Sequence, residues 1–235
     1  MKVSYAQNLL SSVNIVLRIM REDDSIDVSP SALVGKRTTV KGNAPVTLDR
    51  ERFERIVEDL REARLRHAAT VIELARNLGL RTREAALLDC KSALVEAGFG
   101  KIGVVRGTKG GRGQHVERLV PVSESARACL VRAAGLQGDA NNIIPAEKSW
   151  ITFERNIRNK RTRDLLAGHG LRGYHDCRAA YACARYRELT EYPAPVVAGV
   201  RPAPKDVDAG ARRTLALELG HGRDAILRAY IGSAR

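Results

Sequence analysis

The sequence predicts a mainly helical protein of the α+β class, with a small three-stranded antiparallel sheet near its middle. Two observations support this prediction. Apolar residues recur every three or four positions through most of the chain, which is the period of a helix with one buried face. Between residues 93 and 122 the pattern changes to one typical of strands, and glycine-rich stretches divide it into short pieces.

The N-terminal part is predicted to hold one helix followed by a connector. Leu9, Val13 and Val16 place an apolar face on a helix that runs from residue 5 to residue 20. From residue 25 to residue 45 the chain mixes proline, glycine, serine and threonine with basic residues, which is typical of a surface loop. An arm that tracks DNA is the alternative interpretation of this connector.

Two charged helices are predicted next. Phe53 and Leu60 belong to the apolar stripe of a segment from residue 50 to residue 66, whose other positions alternate in charge. A second helix is predicted from about residue 65 to residue 78. It ends at Gly79, because a glycine commonly follows the last turn of a helix.

The predicted sheet consists of three strands, at residues 93–97, 101–106 and 115–122. Glycine-containing turns separate them, one at residues 98–100 and one at residues 107–113. We therefore expect a small antiparallel sheet with a glycine-rich turn between its last two strands.

The rest of the chain is predicted to be helical, with one interruption. Helices are expected at residues 123–134, where Ser123 is the N-cap, and then at 147–166, 179–189, 211–219 and 224–231. Residues 191–210 contain four prolines and are predicted to form a loop or a flexible insertion. A break is expected at residues 220–222, where His221 lies between two glycines.

The charge balance indicates a partner that carries phosphates. Forty lysines and arginines against 27 acidic residues give a net charge of +13. Most of these basic residues are arginines, whose planar guanidinium suits phosphate, so nucleic acid is the leading partner. No apolar run is long enough to span a bilayer, and the N-terminus lacks the apolar core of a signal peptide. We expect a cytoplasmic protein.

The four cysteines indicate neither a metal site nor a disulfide framework. Cys90, Cys129, Cys177 and Cys183 contain no C-x-x-C pair. We predict that they are reduced thiols, mostly buried, and that the protein holds no metal.

A histidine and an arginine lie three residues apart at His175 and Arg178, so one helix face can carry both toward a single phosphate. This spacing alone is more typical of a capped, solvated helix start. In chain order, however, the candidate phosphate-handling residues are Arg81, Lys109, His175, Arg178, His221 and Tyr230.

Five ordered motifs carry these residues. They are Gly79-Leu80-Arg81-x-x-Glu84, Gly107-Thr108-Lys109-Gly110-Gly111, His175-x-x-Arg178, Leu219-Gly220-His221 and Ala229-Tyr230. Through them the chain resembles the catalytic domain of the tyrosine recombinases, the integrases of phages and mobile elements. The resemblance covers about residues 50 to 235, and the five motifs in order are far more specific than any one of them.

The resemblance implies a helical domain with a three-stranded sheet at one edge, which cuts and rejoins DNA through a 3′-phosphotyrosyl intermediate. Tyr230 would be the nucleophile of this reaction. Arg81, Arg178 and His221 would hold the non-bridging oxygens of the scissile phosphate. No metal, ATP or other cofactor is implied.

The resemblance also implies roles for three neighbouring residues. Lys109, on its turn, would protonate the departing 5′ oxygen, His175 would assist proton movement at the tyrosine, and Glu84 would support Arg81. Each residue also has a simpler interpretation taken alone. Glu84 could merely pair with Arg81 on a helix face, and Lys109 could be part of an ordinary glycine turn, although the stretch is no Walker motif. His221 could simply mark a helix break.

Duplex DNA is the expected partner, and its predicted contacts are basic residues outside the motifs. They are Arg37, Lys41, Arg112, Arg155, Arg158, Lys160, Arg161 and Arg163. We expect an N-terminal helix and basic connector at residues 1–46, like part of a core-binding domain, and the catalytic domain at residues 47–235.

The expected function is that of a site-specific recombinase that acts as a homotetramer, with accessory DNA-bending proteins as further candidate partners and a nucleoid-associated location. The alternatives are a non-catalytic DNA-binding protein with the same fold and a relaxing topoisomerase of related chemistry. They differ in whether the tyrosine reaches the pocket and in whether two duplexes are joined.

Overall fold

The structure is a computed structural model that describes residues 3–25 and 27–233, without the side chains of residues 111, 112 and 114. The described chain divides into two compact units, one up to residue 39 and one from residue 40 onward. Whether the N-terminal part acts as a piece of a core-binding domain stays a prediction.

The first unit contains two helices, α1 (Val3–Arg21) and α2 (Pro30–Val34). The predicted N-terminal helix is confirmed, and α2 lies inside the stretch that was expected to be a loop. Asn14, buried on α1, ties the following segment to the helix: its amide donates to the carbonyl oxygen of Val28 at 2.9 Å. Proline at the first position starts α2, because its fixed φ suits a first helical turn.

The second unit contains eleven helices among the described residues and one sheet. The helices are α3 (Arg50–Glu62), α4 (Arg66–Leu78), α5 (Thr82–Leu87), α6 (Cys90–Glu96), α7 (Glu124–Gln137), α8 (Trp150–Ile157), α9 (Lys160–Gly168), α10 (His175–Thr190), α11 (Pro195–Ala198), α12 (Lys205–Glu218) and α13 (Arg228–Ile231). Short 3₁₀ turns lie at Val46–Leu48, Ala97–Phe99, Lys109–Gln114 and Asp224–Leu227. The mainly helical prediction is confirmed.

The core is built around α4, which packs against α3, α5, α7 and α10. Ile72, Leu74 and Leu78 on this helix are fully buried. Gly79 ends α4 in the left-handed conformation at φ 61°, as the sequence predicted. Because α4 touches both α5 and α10, it brings the segments that carry Arg81 and Arg178 together.

The sheet of the described residues has two strands, not the predicted three. β1 (Lys101–Gly103) and β2 (Leu119–Pro121) pair antiparallel, with Ile102 opposite Val120. Both strands are shorter than predicted. Residues 93–97 are helical instead, because Asp89 caps α6 by accepting hydrogen bonds from the backbone of Lys91 and Ser92.

The helix predicted at residues 147–166 is two helices, α8 and α9. Ser149 caps α8, and the side chain of Asn159 accepts a hydrogen bond from the backbone of Thr162 at 2.8 Å and so starts α9. A second N-cap inside an apolar-periodic stretch interrupts the helix, because a capping side chain competes for the backbone donors.

Residues 191–210 are not the loop or flexible insertion that the sequence predicted. They contain α11 and the first turns of α12, which begins at Lys205 directly after Pro204. Two of the four prolines stand at helix starts, Pro195 as the first residue of α11 and Pro204 as the N-cap of α12, where a missing N–H costs nothing. The segment lies against the C-terminal end of the chain, because a Cβ added at Gly232 would meet the backbone nitrogen of Val196 at 2.9 Å.

The prediction of reduced, buried cysteines is confirmed: all four are free and buried. Within the described ranges, no helix combines the length and the apolar character that crossing a bilayer requires.

Candidate active site

Three segments of the second unit meet at one side chain, that of Arg178 near the start of α10. Its Nη1 donates to the carbonyl oxygen of Gly79, and its Nη2 donates to that of Leu219 at 2.5 Å. The carboxylate of Glu84 lies 3.4 Å from Nη1. Burial lowers the pKa of Arg178 to about 10, so the guanidinium remains charged at neutral pH.

The remaining donors of Arg178 point at the predicted nucleophile and its neighbour. Nε donates to the hydroxyl of Tyr230 at 3.3 Å, and Nη2 lies 3.4 Å from Nε2 of His221. The same His221 nitrogen lies 3.2 Å from the Tyr230 hydroxyl and 3.5 Å from Nη2 of Arg81. The sequence-predicted residues Arg81, Arg178, His221 and Tyr230 therefore form one cluster.

Glu84 is fully buried at the centre of three arginines. Its Oε1 pairs with Nη1 of Arg81 at 2.5 Å, and its Oε2 lies 2.8 Å from Nη1 of Arg118 and 3.4 Å from Arg178. Oε2 also accepts the backbone N–H of Arg81 at 2.7 Å, as expected of a glutamate in the first turn of a helix. Burial alone would raise the pKa of Glu84, but the three arginines outweigh it and hold this pKa low.

Tyr230 lies on α13 and is 4% exposed. The ring of His175 packs against it with centroids 4.9 Å apart, and the ring of His221 lies at 5.6 Å. The backbone N–H of Lys41 donates to the carbonyl oxygen of Arg228 at 2.9 Å, which holds the start of α13.

Three other tyrosines of the second unit lie outside this cluster. Tyr181 is buried in the core and donates to Glu218 at 3.0 Å, and Tyr186 donates to Asp208 at 2.8 Å. Tyr192 is 41% exposed and lies after the end of α10. Of these tyrosines, Tyr230 alone shares the cluster with Arg178.

Lys109 lies on the 3₁₀ turn between the two strands and lines a cavity beside the cluster. A cavity of about 190 Å³ is lined by Lys109, Arg81, Arg118 and His221, among others. Lys109 is exposed at its mouth. The turn therefore brings a lysine to the same cavity as the arginine and histidine of the cluster.

The two histidines of the cluster are both kept from ionising. Burial lowers the pKa of His221 to about 3, and the charges of Arg178, Arg81 and Arg118 add to this effect. The pKa of His175 is also lowered, first by burial and then by Arg178. Both rings are therefore neutral in the free protein at neutral pH.

The basic run predicted to contact DNA lies on α8 and α9. All five of its side chains are exposed, namely Arg155, Arg158, Lys160, Arg161 and Arg163. Arg158 donates to the hydroxyl of Thr82 at 3.3 Å, which places the run beside Arg81.

The other three predicted DNA contacts are distributed differently. Arg37 belongs to the first unit, where Nη1 donates to Asn8 at 3.4 Å. Lys41 lies 3.6 Å from the carboxylate of Asp176, the neighbour of His175. The side chain of Arg112 lies outside the described residues. Their role in DNA binding stays a prediction.

Sequence reasoning missed Arg118, which is 5% exposed and lies at the centre of the site. Its signal was the alternation of the strand: Arg118 and Val120 both point inward, whereas Leu119 between them is exposed. An inward-facing arginine next to a strand calls for a buried acid. Within the described residues, no group of three or more histidine, cysteine or acidic side chains could hold a metal ion.

The fold and the cluster agree with a comparison against protein families. The family model described as Integrase matches residues 35–184, and the chain belongs to this family. It is accordingly a DNA recombinase or integrase that acts on DNA. No curated protein and no solved structure matches the chain.

The family match includes Arg81, Lys109, His175 and Arg178 and ends before His221 and Tyr230. These last two join the site through the geometry given above.

Proposed function

We propose that this integrase is a site-specific recombinase of the tyrosine type, which cleaves a DNA strand through a 3′-phosphotyrosyl bond to Tyr230. The observation that carries the proposal is the position of the Tyr230 hydroxyl, 3.3 Å from Nε of Arg178 and 3.2 Å from His221. A tyrosine nucleophile has to stand beside the groups that would hold the phosphate, and here its hydroxyl contacts both a guanidinium and a neutral imidazole.

In the proposed step, the Tyr230 oxygen attacks the scissile phosphorus and gives its proton to the neutral ring of His175. The bond from phosphorus to the 5′ oxygen breaks, and Lys109 gives a proton to that oxygen. Arg81, Arg178 and His221 hold the non-bridging oxygens, whose charge grows in the transition state. Reversal by a new 5′ hydroxyl rejoins DNA without ATP, because the phosphotyrosyl bond keeps the energy of the broken bond.

His175 is proposed to assist proton movement at the tyrosine, because its ring lies against that of Tyr230. Glu84 is proposed to hold Arg81 in place through the 2.5 Å ion pair. In the free protein the hydroxyl of Tyr230 accepts the hydrogen bond that Nε of Arg178 donates. A bound phosphate would therefore take over this donor while the phenol turns to face the phosphorus.

The duplex is proposed to lie across α8 and α9. Residues 155–163 carry five exposed basic side chains and no acidic residue. Arg158 donates a hydrogen bond to Thr82, so this run lies beside the cluster. Phosphate contacts of this kind orient a protein on DNA without reading its sequence.

The proposal includes assembly as a homotetramer on two duplexes, with accessory DNA-bending proteins as candidate partners. A non-catalytic DNA-binding protein is the alternative that a misplaced tyrosine would favour, and the hydroxyl of Tyr230 lies inside the cluster instead. A relaxing topoisomerase would need the same residues and only one duplex.

The cleavage proposal is tested on a nicked suicide substrate, which traps the phosphotyrosyl adduct because the 5′ strand end diffuses away. We expect a denaturation-resistant adduct that maps to Tyr230 and that is absent in Tyr230→Phe, while DNA binding is kept. Tyr192→Phe, which removes an exposed hydroxyl, is the matched control and should form the adduct at the parental rate. Adduct formation by Tyr230→Phe would mean that another residue is the nucleophile.

A second experiment separates recombinase from topoisomerase. Two differently labelled duplexes that carry the ends of the mobile element are incubated with the protein. Joint products that contain both labels support the recombinase, whereas relaxation of supercoiled DNA without joint products supports the topoisomerase.

A further inference from the structure

Arg118 stands immediately before β2 and directs its whole side chain into the protein. Its Nε donates to the carbonyl oxygen of Glu218 at 2.7 Å, and its Nη2 donates to that of Gly79 at 3.3 Å. Its Nη1 lies 2.8 Å from Oε2 of Glu84. Two nitrogens of one guanidinium thus donate to backbone carbonyl oxygens at the ends of α4 and α12, and the third forms an ion pair with Glu84 on α5.

These acceptors belong to the turns that carry the catalytic candidates. Gly79 precedes Arg81 by two residues, and Glu218 is the last residue of α12, just before the turn of His221. The approach is close, since a Cβ added at Gly220 would meet Cδ of Arg118 at 2.9 Å. Only glycine allows the arginine to pass at this position, where φ is 63°.

The backbone of Arg118 also takes part in the pairing of the two strands that the Lys109 turn connects. Its carbonyl oxygen accepts the N–H of Val104 at 2.9 Å, which extends the ladder beyond β1 and β2. The backbone of Arg118 therefore pairs with the other strand of the hairpin, while its side chain contacts residues at the ends of α4 and α12 and on α5. Its side chain is 3% exposed, and its guanidinium nitrogens lie against groups of the protein itself.

We propose that Arg118 is a positioning residue for DNA cleavage, which fixes His221, Arg81 and the Lys109 hairpin relative to one another through a single buried guanidinium. This inference rests on the proposed function. Arg118 touches no reacting atom in it, and acts through the turns that it joins.

The charge of Arg118 matters as well as its shape. The groups that face His221 are Arg81, Arg178, Glu84 and the hydroxyl of Tyr230, and Arg118 is the third arginine that lowers the pKa of this histidine. Removing the charge should therefore raise the pKa of His221. A residue that only filled space would leave this pKa unchanged.

Two variants separate geometry from charge. Arg118→Lys keeps the charge, but a single ammonium cannot meet three acceptors arranged as a fork. Arg118→Gln removes the charge and keeps a polar side chain. Arg132→Gln is the matched control, because it takes an arginine from another buried carboxylate, that of Glu73, at 2.6 Å.

Single-turnover cleavage, DNA affinity and the titration of the His221 ring by NMR are measured for all three variants, with His221→Gln to assign the signal. We expect both Arg118 variants to cleave about 10²-fold more slowly, as small displacements of catalytic groups do, with DNA affinity unchanged. The pKa of His221 should rise in Arg118→Gln and keep its parental value in Arg118→Lys. Arg132→Gln should match the parent in all three measurements.

Cleavage by Arg118→Lys at the parental rate, or an unchanged His221 titration in Arg118→Gln, would overturn the inference. If the proposed function is wrong, the parent protein itself forms no adduct with DNA, and this result distinguishes that failure from a failure of the inference about Arg118. The titration needs neither DNA nor activity, so it tests the link between Arg118 and His221 in any variant whose NMR spectrum shows that it is folded.

Discussion

At the residue scale, the site depends on charges that the fold has removed from water. Arg178 is 1% exposed, and Glu84 is fully buried. An ion taken out of water costs several kcal/mol unless its hydrogen-bonding groups are matched. Here two backbone carbonyls, a carboxylate and a phenol match the guanidinium, so that the buried cation is held in one orientation.

Lys109 and Arg178 should respond oppositely to a substrate whose 5′ bridging oxygen is replaced by sulfur. A thiolate leaves without an acid, since the pKa of a thiol is about 8.5, so Lys109→Ala should cleave this substrate at close to the parental rate. Arg178→Ala should stay slower by about 10² to 10³, because its defect lies at the non-bridging oxygens. Single-turnover cleavage of both substrates is the measurement. A Lys109→Ala variant that stays slow on sulfur would make Lys109 a phosphate contact.

His221 should make the protein less stable in acid. Its pKa is about 3 in the fold and 6.5 as the ordinary value, so the unfolded chain binds more protons between these two limits. The free energy of unfolding should therefore fall as the pH drops below about 6.5. His221→Gln removes this dependence, and denaturant unfolding between pH 4 and pH 7 should show a shallower fall than in the parent. Parallel curves would contradict the lowered pKa.

At the element scale, the turns between helices decide where the charged groups point. Gly79 ends α4 in the left-handed conformation, and its carbonyl oxygen accepts hydrogen bonds from both Arg178 and Arg118. At the other end, Nη1 of Arg212 on α12 donates to the carbonyl oxygen of Gly232 at 3.3 Å, which holds the chain after Tyr230. These hydrogen bonds at the ends of α4 and α13 hold the charged groups of the site in place.

Gly79→Ala should destabilise the protein by about 1–3 kcal/mol. The residue adopts φ 61°, and the added Cβ would meet Cδ1 of Tyr181 at 2.5 Å and Cδ2 of Leu219 at 2.9 Å. Gly98→Ala is the control, because a Cβ there has open space within 4 Å, and it should change stability by less than about 0.5 kcal/mol. Denaturant unfolding measures both, and equal effects would contradict the strain argument.

At the scale of the whole molecule, the net charge of +13 makes DNA binding sensitive to salt. Log affinity should fall linearly with log salt concentration, by about 0.9 in slope for each phosphate contact. Replacing Arg161 and Arg163 together by Gln should therefore reduce the slope by up to about 1.8. Lys91→Gln, which removes an exposed charge from α6, should leave it unchanged. A slope that does not respond to the double variant would remove the run from the DNA interface.

The sequence by itself predicted most of the helices and named the residues that the structure brings together around Arg178. Helix spacing, N-caps and the glycine after α4 act over a few neighbouring residues, so they can be read along the chain. The order of the five motifs is likewise visible in the sequence without knowledge of how the motifs contact one another. Local rules failed at residues 93–97, where the cap at Asp89 extended a helix over an apolar run that resembles a strand.

Only the tertiary structure decided how distant segments meet. Arg118 and Glu218 are 100 residues apart in the chain, and their contact follows from the packing of the hairpin against α12. The same is true of Lys41, a predicted DNA contact that lies beside Asp176, and of residues 191–210, which form helices next to Gly232. Such contacts depend on which surfaces are buried together, and burial is a property of the whole fold that no short stretch of sequence contains.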